Sequence, residues 1–214
     1  MATINPEMVG LALVDSGWTG DVQITRGATT ETITPQGRTS AAAIWSEVVR
    51  AAQNKFGGTW QGWPDSAGKL HIVTSLASFD LVCSGTTKTR LVFTGTYTGA
   101  AEYTAASAHH SAVYPAYGMR LSIGVASRAT RAPSANGDFG GSGARMGPSG
   151  SMVCYGTYAE IVSLESALDG GETHDAWIGG RVVGRVRLGE VKRNRWGGTG
   201  AQAYLDVGAT VVTL

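Results

Sequence analysis

Charge is scarce in this chain. Lys, Arg, Asp and Glu together make up 15% of its 214 residues, against roughly 25% in an ordinary soluble domain. A monomer keeps its surface in water largely by carrying charge, so the shortfall marks a surface that meets protein instead. Long apolar runs are missing as well, which excludes a membrane-spanning helix. Cysteine is nearly absent, and neither Cys83 nor Cys154 has a Cys or His neighbour at metal-ligand spacing. The two read as buried thiols, with a disulfide as the alternative. The formal net charge of +1 gives no global preference for nucleic acid or for an anionic membrane. Met1 to Asn5 has neither the basic start nor the apolar run of a secretory signal, so the expectation is a protein made and folded in a cytoplasm.

Glycine is what the chain has in excess. Its 31 copies are about twice average usage, and they are spread among Thr, Ser, Ala and Val. That composition favours short strands and tight turns over a helical bundle.

Strands are expected at Gly10 to Val14, Asp21 to Arg26 and Thr30 to Thr34, each bounded by Gly, Asp or Pro. The period then changes. From 40 to 56, Ala41, Trp45, Val48, Val49, Ala52 and Phe56 recur at spacings of three and four, which puts them on one helical face. Thr39 or Ser40 can cap this helix and Gly57-Gly58 ends it. Further strands are expected at Thr59 to Gln61, Leu70 to Ser75, Phe79 to Cys83, Arg90 to Thr94 and Met119 to Ala126. The spacer Pro64 to Gly68 has hairpin-loop chemistry, and Ser84 to Thr87 reads as a second spacer.

Residues 127–151 carry Gly, Ser and Pro with hardly a large apolar side chain, so they form a long loop or arm. A second helix begins at a Thr157-x-x-Glu160 capping box, with Ile161, Leu164 and Leu168 on one face and Gly170-Gly171 after it. Two long strands, Arg181 to Lys192 and Gln202 to Leu214, end the chain. The expected fold is α+β: a mainly antiparallel sandwich or split barrel with two flanking helices. Its units are 1–126, the arm at 127–151, and 152–214, the last able to join the first in one domain.

Candidate chemistry is thin. Gly137 to Gly143 and Gly147 to Ser151 only superficially match serine-nucleophile segments, because Phe139 stands in the nucleophile's place in one and Ser151 replaces the closing Gly of the other. His109-His110 are adjacent, so on a strand they point apart and do not converge on a metal. His174-Asp175 beside Glu172 is a base and a carboxylate with no nucleophile placed next to them. No catalytic residue, metal or cofactor is assigned, and the expectation is a protein that is not an enzyme.

Charge is distributed unevenly. Glu160, Glu165, Asp169, Glu172 and Asp175 lie in a stretch without Lys or Arg, and Arg181, Arg185, Arg187, Lys192, Arg193 and Arg195 follow. On a regular strand Arg181, Arg185, Arg187 and Arg193 share one face. Such a stripe serves as an internal or solvated surface, or as a contact onto the acids of a neighbouring copy. With Trp196 as its one aromatic companion, nucleic acid is disfavoured. Trp60, Trp63, Trp177 and Trp196 are core or interface anchors, or alternatively platforms for a sugar.

Two stretches carry a resemblance. The helix Ala42 to Asn54 with Gly68-Lys69-Leu70-His71-Ile72, Ser78 to Leu81 and Thr94 to Gly99 resembles a recurrent unit in structural proteins of tailed bacteriophages. Leu164 to Gly171 followed by Gly180 to Val186 and a terminal strand is similar to the helix and hairpin that close several phage tail and distal-tail proteins. The resemblance implies a virion protein, assembled as a ring of the tail or baseplate with copies of itself and neighbouring virion proteins, and with the Gly-rich arm reaching a neighbour. The Arg clustering departs from that family's pattern; the charge distribution itself gives the expected contact, through Arg181, Arg185, Arg187, Arg193 and Arg195 on one side and Glu160, Glu165, Glu172 and Asp175 on the other. Arg185→Glu with Arg187→Glu is then expected to block assembly and leave the monomer folded. A carbohydrate or cell-surface binding module is the competing expectation.

Overall fold

The computed structural model describes residues 9–65, 67–110, 112–113, 119–124, 149–168, 171–178, 180–194 and 203–212. Within them the fold is α+β and every paired strand is antiparallel. The first half supplies strands Val9–Leu13 (β1), Val22–Arg26 (β2) and Thr29–Ile33 (β3), then helix Ala41–Phe56 (α1). Strands Trp60–Pro64 (β4), Lys69–Thr74 (β5) and Phe79–Cys83 (β6) lead to a short helix, Gly85–Leu91 (α2). After it come Thr96–Ala100 (β7), Glu102–Ala108 (β8), Ala112–Val113 (β9) and Met119–Gly124 (β10). The last third holds Ser149–Gly156 (β11), helix Tyr158–Leu168 (α3), Thr173–Ile178 (β12), Arg181–Asn194 (β13) and Ala203–Val212 (β14).

These strands form three open sheets: a seven-stranded one in the order β10-β11-β14-β13-β12-β1-β9, a four-stranded one, β3-β2-β6-β7, and a three-stranded one, β4-β5-β8. The first strand of the chain therefore lies inside the sheet built by its last third, with Leu11 opposite Ala176 and Leu13 opposite His174. Among the described residues the sheets do not close into a barrel.

Helix α1 is the hub. Its Ser40 N-cap accepts a hydrogen bond from the amide of Ala43, and Gly57 ends it at φ 67°, a conformation that glycine takes without steric cost. The buried stripe is wider than the sequence pattern, taking in Ala42, Ile44 and Ala51 as well as Ala41, Trp45, Val48 and Ala52. A helix that touches strands of all three sheets must bury more than one narrow face. Trp45 stacks on Phe93 at 4.9 Å, and Trp60, Phe79, Tyr97 and Tyr103 continue the aromatic core through edge contacts of about 5 Å.

Three sequence expectations are corrected here. Ser84 to Thr87 is not a spacer, and Arg90 to Thr94 is not a strand. Residues 85–91 form α2 because Thr87 and Leu91, four apart, are both fully buried, and the Thr87 hydroxyl donates to the Thr19 carbonyl at 2.9 Å. Val92 then takes the left-handed conformation, φ 63°, which turns the chain so that Leu91 and Phe93 both point inward. At the other end of the arm, Ser149 to Ser151 belong to β11 and not to a loop. The rest of that arm, 127–148, lies outside the described residues.

Candidate functional site

The acids and bases singled out by the sequence come together, but within one chain. Asp175 on β12 sits directly across from Arg185 on β13. The Arg185 guanidinium donates from Nε to Asp175 Oδ1 at 2.8 Å and from Nη2 to Oδ2 at 3.3 Å. The hydroxyl of Ser40 donates to Oδ2 at 2.5 Å. Asp175 is fully buried. A buried carboxylate is tolerated when its lone pairs are filled by charged and neutral donors, as here. The same Ser40 oxygen accepts from Ala43, so one hydroxyl joins the start of α1 to the large sheet. Asp175 and Arg185 are thus spent on each other and are not free for a neighbouring copy.

The Arg stripe itself is broken, which corrects the expectation from alternation. β13 carries two bulges, one between the pairs Ala176/Gly184 and Trp177/Val182 and one between Leu188/Ala209 and Val191/Val207. Each inserts an extra residue and reverses the phase of the strand. Arg185 and Arg187 stay in phase, whereas Arg181 pairs with Ile178 on the opposite face and position 193 falls in phase with Leu188. Arg187 is exposed and donates from Nε to the Gly171 carbonyl at 2.9 Å, and Arg181 is exposed. Glu172 is exposed and Glu165 half-buried. The side chains of Glu160 and Arg193, and all of Arg195, Trp196 and Asp169, lie outside the described residues.

Trp60, Trp63 and Trp177 form no platform. They are 3%, 6% and 1% exposed, so none offers a ring face to a sugar. Trp60 donates to the Gly57 carbonyl, and Trp177 packs against the ring of His109. The sequence alternative of a glycan platform on these three residues is corrected accordingly.

His174 and Asp175 are not a catalytic pair. Being neighbours on a strand they face opposite ways; His174 is buried, with Nδ1 3.3 Å from the Glu172 carbonyl oxygen. Burial also lowers its pKa, the Glu172 carbonyl bond and nearby carboxylates acting the other way. His109 and His110 diverge as well. His109 is buried, which pushes its pKa down to about 4, whereas His110 reaches Asp15 at 3.0 Å. Asp15 also accepts from Trp18 Nε1 at 2.6 Å and from Arg90 at 3.0 Å, so it ties the end of β1 to α2 and to the segment after β8. Cys83 is a free buried thiol whose pKa burial pushes up to about 12, and the side chain of Cys154 lies outside the described residues. Among the described residues no group of three or more His, Cys, Asp or Glu could hold a metal, and no helix is long and apolar enough to cross a membrane.

No protein-family model, curated protein or solved structure matches this chain.

Two features of the site were not found from the sequence. The first is the outer face of the four-stranded sheet. Its register lines up Thr32, Gln23, Val82 and Thr96 in one row and Thr30, Thr25 and Asp80 in the next. The opposite face of the same strands buries Val22, Ile24, Leu81 and Cys83. Asp80 is the one ionised group in these rows, and its Oδ1 accepts from the amide of Gly99 at 2.9 Å. The second is a cross-strand set on β4, β5 and β8. His71 lies between Trp63 and Thr104, with its ring stacked on Trp63 at 5.0 Å. Its Nε2 is 3.2 Å from Asp65 Oδ2 and its Nδ1 is 3.0 Å from Thr104 Oγ1. The Pro64-to-Gly68 hairpin and the strand period were both legible. The sequence signal lay in combining them, since a two-residue alternation back from His71 to the turn brings Asp65 to the same side.

Proposed function

We propose that this chain is a structural protein of the tailed-phage virion, of the tail, distal-tail or baseplate type, which acts by associating with copies of itself and with neighbouring virion proteins. The observation that carries the proposal is the outer face of the four-stranded sheet. Gln23, Thr30, Thr32, Val82 and Thr96 are all exposed on it and none is charged. Uncharged hydroxyl and amide groups cost far less to desolvate than ions, and each both donates and accepts, so such a face can meet protein with Asp80, already bonded to the Gly99 amide, as the one charge in its rows. This gives the chain's low overall charge a location. The resemblance of the Ala42-to-Gly99 unit to phage structural proteins supplies the setting.

Strand-to-strand addition is the less favoured route. Edge strand β7 is bulged between the pairs Phe79/Ala100 and Leu81/Tyr97, with Gly99 at φ 72°, and edge strand β3 carries Glu31. Both devices blunt sheet edges. Association is instead face to face.

The test is size-exclusion chromatography with light scattering at rising concentration and at low and high salt, with negative-stain imaging of large species. The expected result is a ring or other oligomer that persists in high salt, because few charges are involved. Thr32→Arg should return it to a folded monomer. A strict monomer at every concentration, or an oligomer that Thr32→Arg leaves intact, overturns the proposal.

A further inference from the structure

We propose that Thr104 is an activated hydroxyl that accepts acyl groups from small activated carboxylic esters, with His71 as its general base and Asp65 as the residue that positions the base. This goes beyond the assembly reading and does not depend on it.

The argument begins with the carboxylate. Asp65 Oδ1 accepts from the amides of Ala67 and Lys69, both at 2.9 Å, so the side chain is fixed on its own turn. That leaves Oδ2 directed at His71 Nε2, 3.2 Å away. An ionised carboxylate can only accept, so Nε2 carries the imidazole proton. In the neutral ring Nδ1 then presents its lone pair, and the Thr104 hydroxyl 3.0 Å away donates to it. The tautomer is therefore set by chemistry and not by choice. The ring cannot easily turn away, since it is stacked on Trp63 at an interplanar angle of 7° and its side chain is only 16% exposed. Thr104 itself is exposed. A fixed carboxylate, an oriented base and a reachable hydroxyl are the three parts of an acyl-transfer relay.

The reaction closes in atoms and charge. Thr104 Oγ1 attacks the ester carbonyl carbon and passes its proton to His71 Nδ1. The bond from that carbon to the ester's alcohol oxygen breaks, and His71 returns the proton to the departing oxygen. An acyl-threonine remains. Water, deprotonated by His71, then attacks the same carbon, which releases the carboxylic acid and restores the hydroxyl. Because the hydroxyl stands on an open strand, the class of substrate is an ester activated by a good leaving group. The acceleration expected is the share that a general base supplies alone, about 10²–10⁴-fold.

The test uses p-nitrophenyl acetate with the full chain. The expected result is a burst of nitrophenolate approaching one equivalent, with the acetyl group mapped by peptide mass spectrometry to Thr104. Thr104→Val should abolish the burst, and Thr104→Ser should keep it. His71→Gln should slow acylation of Thr104 about 10²-fold or more. Circular dichroism on each variant separates loss of the hydroxyl from loss of the fold, and the exposed Thr104 pair carries the test if His71→Gln unfolds. Acetyl found on Lys69 or other amines with none on Thr104, or a burst unchanged in Thr104→Val, overturns the proposal. Since neither readout involves oligomerisation, its failure is distinct from a failure of the assembly reading.

Discussion

Arg185→Glu should destabilise the monomer severely, where the sequence alone implied a harmless surface change. Asp175 is fully buried, and its two oxygens are filled by the guanidinium of Arg185 and the hydroxyl of Ser40. Removing one partner of such a pair leaves a charge uncompensated in the interior, which costs about 3–5 kcal/mol. A glutamate there adds a second negative charge across the strand pair, placing the effect at the top of that range. A typical domain is stable by only about 5–15 kcal/mol, so much of the fold's margin would be lost.

The control lies two residues along the same face. Arg187 is exposed and meets only the Gly171 carbonyl, so Arg187→Glu should cost less than about 1 kcal/mol. Urea titration followed by tryptophan fluorescence reads both, since Trp45 and Trp177 are buried in the same core cluster. Replacing the pair together, Asp175→Leu with Arg185→Met, should recover part of the loss, because both charges are gone and only the buried Ser40 hydroxyl is left without its acceptor. Equal midpoints for Arg185→Glu and Arg187→Glu would refute the reasoning. So would a double replacement as unstable as the single one.

Stability should also fall with acid through His109. Burial holds its pKa near 4 against an ordinary 6.5, so the unfolded chain takes up the proton first: its contribution is intact above pH 6.5 and lost as the pH falls toward 4, by up to about 3 kcal/mol. His174, shifted the same way, adds to the trend. Urea midpoints from pH 7.5 to 4.5 should show a slope that His109→Gln reduces, and an unchanged slope would contradict the assignment. Gly180→Ala should cost about 2–3 kcal/mol, because a methyl group there would lie 2.2 Å from the Gly62 carbonyl oxygen. Gly27→Ala, at φ 57° with nothing within 4 Å, should cost only about 1–2 kcal/mol; equal melting temperatures for the two would show that the close approach of the β12–β13 turn to β4 is not limiting.

The fold class was legible wherever a local period survived. α1 and α3 announced themselves by apolar spacing and by the residues before them, Ser40 and Thr157, because capping and amphipathicity are properties of a few consecutive residues. β12 was not legible as a strand. His174, Asp175, Ala176 and Trp177 are all buried, so the segment shows no alternation, and its two polar members look like a loop until Arg185, Ser40 and the sheet around them are in place. α2 failed for the opposite reason: Leu91 and Phe93 are both buried, which mimics a strand, while the left-handed Val92 that makes this happen inside a helix end leaves no mark in the sequence.

The candidate site shows where sequence reasoning stops. A stripe of arginines at even spacing is a sound inference only for a strand that pairs without interruption, and two bulges in β13 are enough to send Arg181 and position 193 to the other face. Bulges answer to the pairing partner, here β12 at one and β14 at the other, so no window of β13 alone contains them. The same holds for the features that replaced the stripe. Thr30, Thr25 and Asp80 become one row, and Asp65, His71 and Thr104 one relay, through the register between strands. Within each strand these residues are unremarkable polar positions on an outward face. What converts them into a surface or a reactive hydroxyl is lateral order across a sheet, and that order is set by which strands pair and in what register. A test by substitution should therefore target lateral neighbours together. Thr32 with Gln23, or His71 with Thr104, should show energetic coupling in a double-mutant cycle, whereas Thr30 with Thr104, on different sheets, should be additive.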